Sequence, residues 1–279
     1  MKRLILLPLL CLPLWAAPSD DRWSLEDHEN IQKSFKVAAG DNVSKLSVDQ
    51  MNGYIHVTGG AGTEIRVKVD RHTRAESKGA MDDAKREVQF DMTQTGNEVK
   101  LYEDGPFRHN DHGRDHNTYQ VTFDCDIEVP VGATLDLHTL NSAIEVRKSS
   151  GDFTVHTLNG RVDMEEIGGS GSAQTLNGSV KVAFSRNPVH DSTFHTLNGS
   201  VDLYFASNPD ADLNLNTLHG GVYADFDVTT LPMTVKGENL NSRMIYRSGG
   251  EMKVRAGKGG PQLSLHTLNG SIRLHSKGA

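Results

Sequence analysis

The sequence predicts an all-β chain, a parallel β-solenoid of about 18–22-residue coils preceded by a more irregular β-rich part. Three observations predict it: a corner motif that recurs along the second half, period-2 alternation on both sides of each corner, and a glycine-rich, aromatic-poor composition. Glycine stands at 27 residues against 9 prolines and 6% aromatics, which favours short strands and tight turns over a large globular core.

The corner is Thr-Leu-Asn-Gly or a close variant. It opens at Thr139, Thr157, Thr175, Thr196, Thr217, Asn239 and Thr267, with spacings of 18, 18, 21, 21, 22 and 28 residues. A degenerate copy, Gln50-Met-Asn-Gly, lies far upstream. The expected corner residues are Asn141, Asn159, Gly160, Asn177, Gly178, Asn198, Gly199, Asn241, Asn269 and Gly270. Glycine after asparagine is expected to supply the positive φ of a sharp bend.

After each corner comes an alternating triplet, such as Val162-Asp-Met164 or Val201-Asp-Leu203, and before it a matching run such as Phe153-Thr-Val155-His156. Such alternation marks half-buried strands. Asn-Gly between two strands also suits an antiparallel hairpin. Because the identity is strongest at the corner itself, stacked coils are preferred, with asparagine amides bonded up and down a column. Val146, Met164, Val182 and Leu203 would then share one interior column. The outward residues Asp163, Lys181 and Asp202 would alternate in sign. The Asn239 corner departs from the pattern, and Glu251 to Arg255 suggests an inserted hairpin before the last coil.

The expected organisation is a signal peptide (1–17), an extension (18–34), a β-rich part (35–130) and the repeat (131–279). Within 35–130 the pattern places turns at Gly40 and Asn52-Gly53, a short helix near 75–86, a hairpin around Thr95-Gly-Asn97 and a polar His-rich loop at 105–117. Lys2 and Arg3, the apolar run Leu4 to Trp15, and the small residues Ala16 and Ala17 form the leader, which is too short to span a bilayer. An exported chain is therefore expected, in the periplasm or at the cell surface, without a transmembrane segment. Removal of the leader would leave 27 basic against 36 acidic residues and Cys125 as the single cysteine. That excludes an intramolecular disulfide and argues against nucleic acid as a partner.

The stretch Cys125-Asp-Ile-Glu-Val-Pro130-Val-Gly132-Ala-Thr-Leu135-Asp-Leu137, the repeated corners and the earlier Asn52-Gly-Tyr-Ile-His-Val57 resemble the bacterial putative-adhesin family of β-strand-repeat domains of unknown function, which is akin to adhesin heads. The resemblance covers about residues 35 to 275. It implies a right-handed solenoid and an envelope location, and it offers no catalytic residue to carry over.

Three sets of side chains invite a functional reading. His109, Asp111, His112 and His116 form the densest group of potential zinc or copper ligands, although Gly105, Pro106 and Gly113 mark a solvated loop. His138, His156, His195 and His266 each precede a corner threonine, and only the first two are expected to be neighbours. Their protonation would destabilise the stack in mild acid. Glu145 and Asp163 would be adjacent carboxylates, but no pocket-building residues recur around them. The expectation is an exported, non-catalytic scaffold without cofactor, an adhesin or surface-binding protein whose partner is a protein or cell-surface ligand. The alternatives are a periplasmic envelope-stress or signalling accessory module, and a carbohydrate-binding or carbohydrate-active β-helix protein.

Overall fold

The computed structural model describes residues 22–37, 43–108, 118–232, 236–240, 243–247 and 252–277. Gly40, Asn241 and the metal candidates His109, Asp111, His112 and His116 lie outside the described residues.

The first part holds strands β1 (Leu25–Lys36), β2 (Lys45–Asn52), β3 (Ile55–Gly60) and β4 (Glu64–Ala75). Helix α1 (Lys78–Glu87) follows, then β5 (Gln89–Thr95), β6 (Glu98–Asp104) and β7 (Tyr119–Pro130). The helix starts at Lys78 because the Ser77 side chain caps it, accepting the Ala80 N–H at 3.2 Å. Its C-terminal carbonyls at Ala84 and Val88 are bonded by the buried Arg71 guanidinium at 3.0 and 3.2 Å. The β5–β6 hairpin turns at Gly96, whose φ is +60°.

The repeats then supply pairs of strands, one on each side of a corner. These are β8 (Thr134–Asn141) with β9 (Ile144–Arg147), β10 (Phe153–Asn159) with β11 (Val162–Ile167), and β12 (Gly171–Asn177) with β13 (Val180–Phe184). Next come β14 (Ser192–Asn198) with β15 (Val201–Phe205), and β16 (Ala211–His219) with β17 (Val222–Ala224). Four further strands are β18 (Val228–Thr230), β19 (Lys236–Leu240), β20 (Arg243–Arg247) and β21 (Met252–Ala256). The last pair is β22 (Gln262–Asn269) with β23 (Ile272–Ser276).

Among the described residues the fold is all-β apart from α1 and one short 3-10 turn, built on two large mixed sheets with no closed barrel. One sheet runs β1-β4-β7-β3-β9-β11-β13-β15-β23-β17, the other β18-β21-β16-β22-β14-β12-β10-β8-β2-β6-β5. Strands from both halves of the sequence share these sheets. Pairing within the repeats is parallel and in register, so Val155 lies beside Leu137 and Ala173, and Met164 beside Val146 and Val182. Inward residues of the two sheets make one continuous core that includes Phe184, Phe194 and Phe205. No described helix is long and apolar enough to cross a membrane.

The order of the stack differs from the order of the sequence in two places. The upstream Gln50-Met-Asn-Gly corner forms the first rung: β2 pairs with β8, and β3 with β9. At the other end β22 lies between β14 and β16, and β23 between β15 and β17. The C-terminal rung is therefore threaded between two earlier ones, and Ile272 separates Val201 from Val222. The expected Asn239 coil is absent from the stack, because β19 and β20 form a separate antiparallel pair. The extra strand-like segment near Glu251 to Arg255 is strand β21, but it pairs antiparallel with β16 and β18 and forms no hairpin of its own.

The corners show why the motif recurs. Asn141 Nδ2 donates to Asn52 Oδ1 at 3.0 Å, Asn159 to Asn141 at 2.9 Å, Asn177 to Asn159 at 2.8 Å and Asn198 to Asn177 at 2.8 Å. The column continues through Asn269 and ends with His219 Nδ1 3.1 Å from Asn269 Oδ1. Beside it, the buried corner threonines reach the previous rung: Thr175 Oγ1 donates to the Gly160 carbonyl and Thr196 to that of Gly178, at 2.8 and 2.7 Å. Thr139 is the exception, buried without a hydrogen-bond partner, because the Gln50 side-chain amide takes the carbonyl of Gly53.

The corner glycines do not have the positive φ that the motif suggests; Gly160, Gly178, Gly199 and Gly270 all lie outside that region, and only the degenerate corner's Gly53, at +111°, lies inside it. What requires glycine is the rung beneath. A Cβ on Gly178 would stand 2.1 Å from the Gly160 carbonyl oxygen, and one on Gly199 would stand 1.9 Å from that of Gly178.

Candidate functional site

The alternation that fills the core also arranges the outer faces. On the eleven-stranded sheet, inward threonine alternates with an outward histidine or polar residue before it and an outward leucine after it. Leu140, Leu158, Leu176, Leu197, Leu268 and Leu218 occupy equivalent places on successive rungs, and Leu176, Leu268 and Leu218 are the most exposed of them. Rungs in such a sheet are about 4.8 Å apart, so this is a ruled apolar stripe.

The imidazole row runs alongside it. The out-of-order rung changes its neighbours: His138 packs edge-on to His156 with ring centroids 5.9 Å apart, and His195 packs edge-on to His266 at 6.3 Å. There are two imidazole pairs, separated by Gln174, where a sequential stack offers one. His138 Nε2 also lies 2.8 Å from Asp136 Oδ1. Desolvation, followed by the neighbouring imidazole, holds His156 and His195 below the ordinary histidine range.

The ten-stranded sheet presents a charged outer face. Register brings Asp163 beside Glu145, but each carboxylate has its own cation: Arg161 lies 2.5 Å from Glu145 and Lys181 3.6 Å from Asp163. The expected alternation of sign is extended by the threaded rung, since Arg273 bonds Asp202 at 3.0 Å. Paired in this way, the two carboxylates form a solvated face.

Where β3 meets β7, a shallow groove of about 450 Å³ opens on this face, lined by His56, Arg66, Lys68, Asp126 and Glu128 among others. The parallel β3–β7 pairing sets His56 beside Asp126, 3.2 Å from Nδ1 to Oδ1, while Nε2 is buried without a hydrogen-bond partner. Tyr54 Oη is 3.5 Å from Asp126, and burial together with Asp126 and Asp124 raises its phenol above the usual range. Arg66 pairs with Glu128 at 3.0 Å. No local spacing in the sequence signals this group, because its members are about seventy residues apart and meet only through sheet order. An open groove of paired charges fits contact with a polar surface better than enclosure of a small substrate.

Two buried groups belong to the degenerate corner. Glu103 Oε2 accepts the Met51 N–H at 2.5 Å, and burial pushes its carboxyl up to about 7 against the pull of that bond. Cys125 is a free thiol in the core that donates to Gln50 Oε1 at 3.2 Å, and burial drives it far from the thiolate.

No protein-family model and no curated protein matches the chain. Among solved structures, a putative cell adhesion protein from Clostridium sporogenes ATCC 15579 aligns over 90% of this chain and 100% of its own, with 11% identity and a TM-score of 0.41.

Proposed function

We propose that the chain is an exported, non-catalytic scaffold that binds a protein or cell-surface ligand through the broad outer faces of its sheets. On this reading the in-register rungs are the coils of a right-handed parallel β-solenoid. The observation that carries the proposal is the leucine stripe with its parallel imidazole row, a repeated surface that no internal packing requires. Such a surface offers the same contact on every rung and so fits an extended partner. The paired carboxylates and the open groove support a binding role over a catalytic one.

Protease shaving of intact cells, with a periplasmic protein as leak control, tests the location. Loss of the chain is the expected result. Full protection until the outer layer is opened would overturn the surface role and favour the periplasmic accessory module.

A further inference from the structure

At the open edge of the ten-stranded sheet, farther along the β1–β4 pair than the groove residues Gln32 and Lys68, β1 and β4 bring three ligand-type side chains together. His28 and His72 are direct cross-strand partners, and Glu26 stands two residues before His28 on the same face. One ligand atom from each lies within 4.8 Å of the other two, with His72 Nε2 3.8 Å from Glu26 Oε2. An ion bonded to all three at about 2.0–2.2 Å would hold those atoms about 3–4 Å apart, so a small inward movement completes the site.

The surroundings favour a cation. His72 Nε2 is buried and makes no hydrogen bond. Asp70 Oδ1 lies 3.8 Å from His28 Nδ1, and Asp124 faces Asp70 from β7.

We propose that Glu26, His28 and His72 bind a divalent transition-metal ion of the zinc class, two imidazoles and a carboxylate serving as ligands and water filling the remaining position. Asp70 then orients His28 from outside the coordination sphere. The two rings lie face to face, 4.1 Å apart and 10° from parallel, so their in-plane lone pairs do not yet converge. Binding therefore turns the exposed His28 ring about its Cβ–Cγ bond. It also displaces Arg74, whose Nε is 3.1 Å from Glu26 Oε1, and this guanidinium is the built-in competitor of the ion.

The test is calorimetric titration of the full chain with Zn²⁺ at pH 7.5, alongside the visible absorption of the Co²⁺ form. His28→Gln, at an exposed position, should keep the wild-type unfolding midpoint while losing one equivalent of Zn²⁺ and the associated Co²⁺ bands. His72→Gln should lose the same equivalent, and Arg74→Gln should bind about tenfold tighter or better. His112→Ala should leave this equivalent intact, which separates the site from the His109–His116 segment. Absence of Zn²⁺ binding by the wild type, or unchanged stoichiometry and bands in His28→Gln, would overturn the proposal.

Discussion

Asn269 Nδ2 donates to Asn198 Oδ1 at 2.7 Å across 71 residues of sequence. The bond carries the amide column through the threaded rung without a break, so the ladder follows the stack and ignores chain order. Each interior asparagine gives one hydrogen bond and receives one, and neighbouring amides polarise each other.

Asn177→Ala should therefore remove two hydrogen bonds and leave Asn159 and Asn198 half-served. At this exposed corner the expected loss is about 1 kcal/mol, a fall of roughly 2–4 °C in the unfolding midpoint. Asn177→Asp should lose more, since it replaces a donor with a charge beside the Asn159 carbonyl oxygen. Thermal unfolding followed by circular dichroism measures both, and an unchanged alanine variant would remove the ladder from the account of stability.

Gly178→Ala should destabilise by about 1–3 kcal/mol or more, because its Cβ would stand 2.1 Å from the Gly160 carbonyl oxygen and force two rungs apart. Gly132→Ala is the control, with nothing within 4 Å of an added Cβ. Denaturant midpoints of the two variants should separate clearly. Equal midpoints would show that corner glycine is not set by the neighbouring rung.

Two pH effects oppose each other. For His156 and His195 the folded value lies below the unfolded 6.5, so their stabilisation is full above 6.5 and is lost as pH falls below it. Glu103 has the opposite sign: its folded value of about 7 lies above the unfolded 4.5, so its stabilisation is full below 4.5 and is lost as pH rises through 7. Glu103→Gln should consequently gain on the wild type as pH rises from 5 to 8. It should also show the loss between pH 7.5 and 5.5 that the histidines cause, without the opposing carboxyl. A Glu103→Gln midpoint that is level over that range would count against the imidazole pairs.

Truncation after residue 261 should behave unlike the loss of a terminal repeat. It removes β22 and β23 from between neighbours on both sides, uncovering Val201, Leu203, Leu213 and Leu215 at once. Strong binding of a hydrophobic dye and loss of the cooperative transition are expected. A truncated chain with a sharp transition only slightly below wild type would contradict the threaded arrangement.

Much of this was legible in the sequence. Period-2 alternation marks the strands, and the repeated asparagine points to the stacked amide column. Rung order was not legible, because the corners at Thr196, Thr217 and Thr267 are near copies, and any one can stack on any other. The role of glycine was misread for a related reason: positive φ is a local property, whereas the close carbonyl belongs to another rung. Strand β1 escaped notice because, as an edge strand, it buries little and shows scant alternation. Its cross-strand pairing of His28 with His72 went unseen with it. The His56–Asp126 pair depends on β3 lying beside β7, which no spacing announces.

The threaded C-terminal rung also sets a timetable. Emerging from its N-terminal end, the chain presents residues 192–224 before residues 262–276, so the two rungs that will flank the insert appear while the space between them has no occupant. If they closed on each other, Val201 would meet Val222 in a register just as acceptable to the corner motif, and the late segment would have to prise them apart. Completion of the native stack thus waits for residues 262–276, which have to enter between strands laid down about fifty to seventy residues earlier.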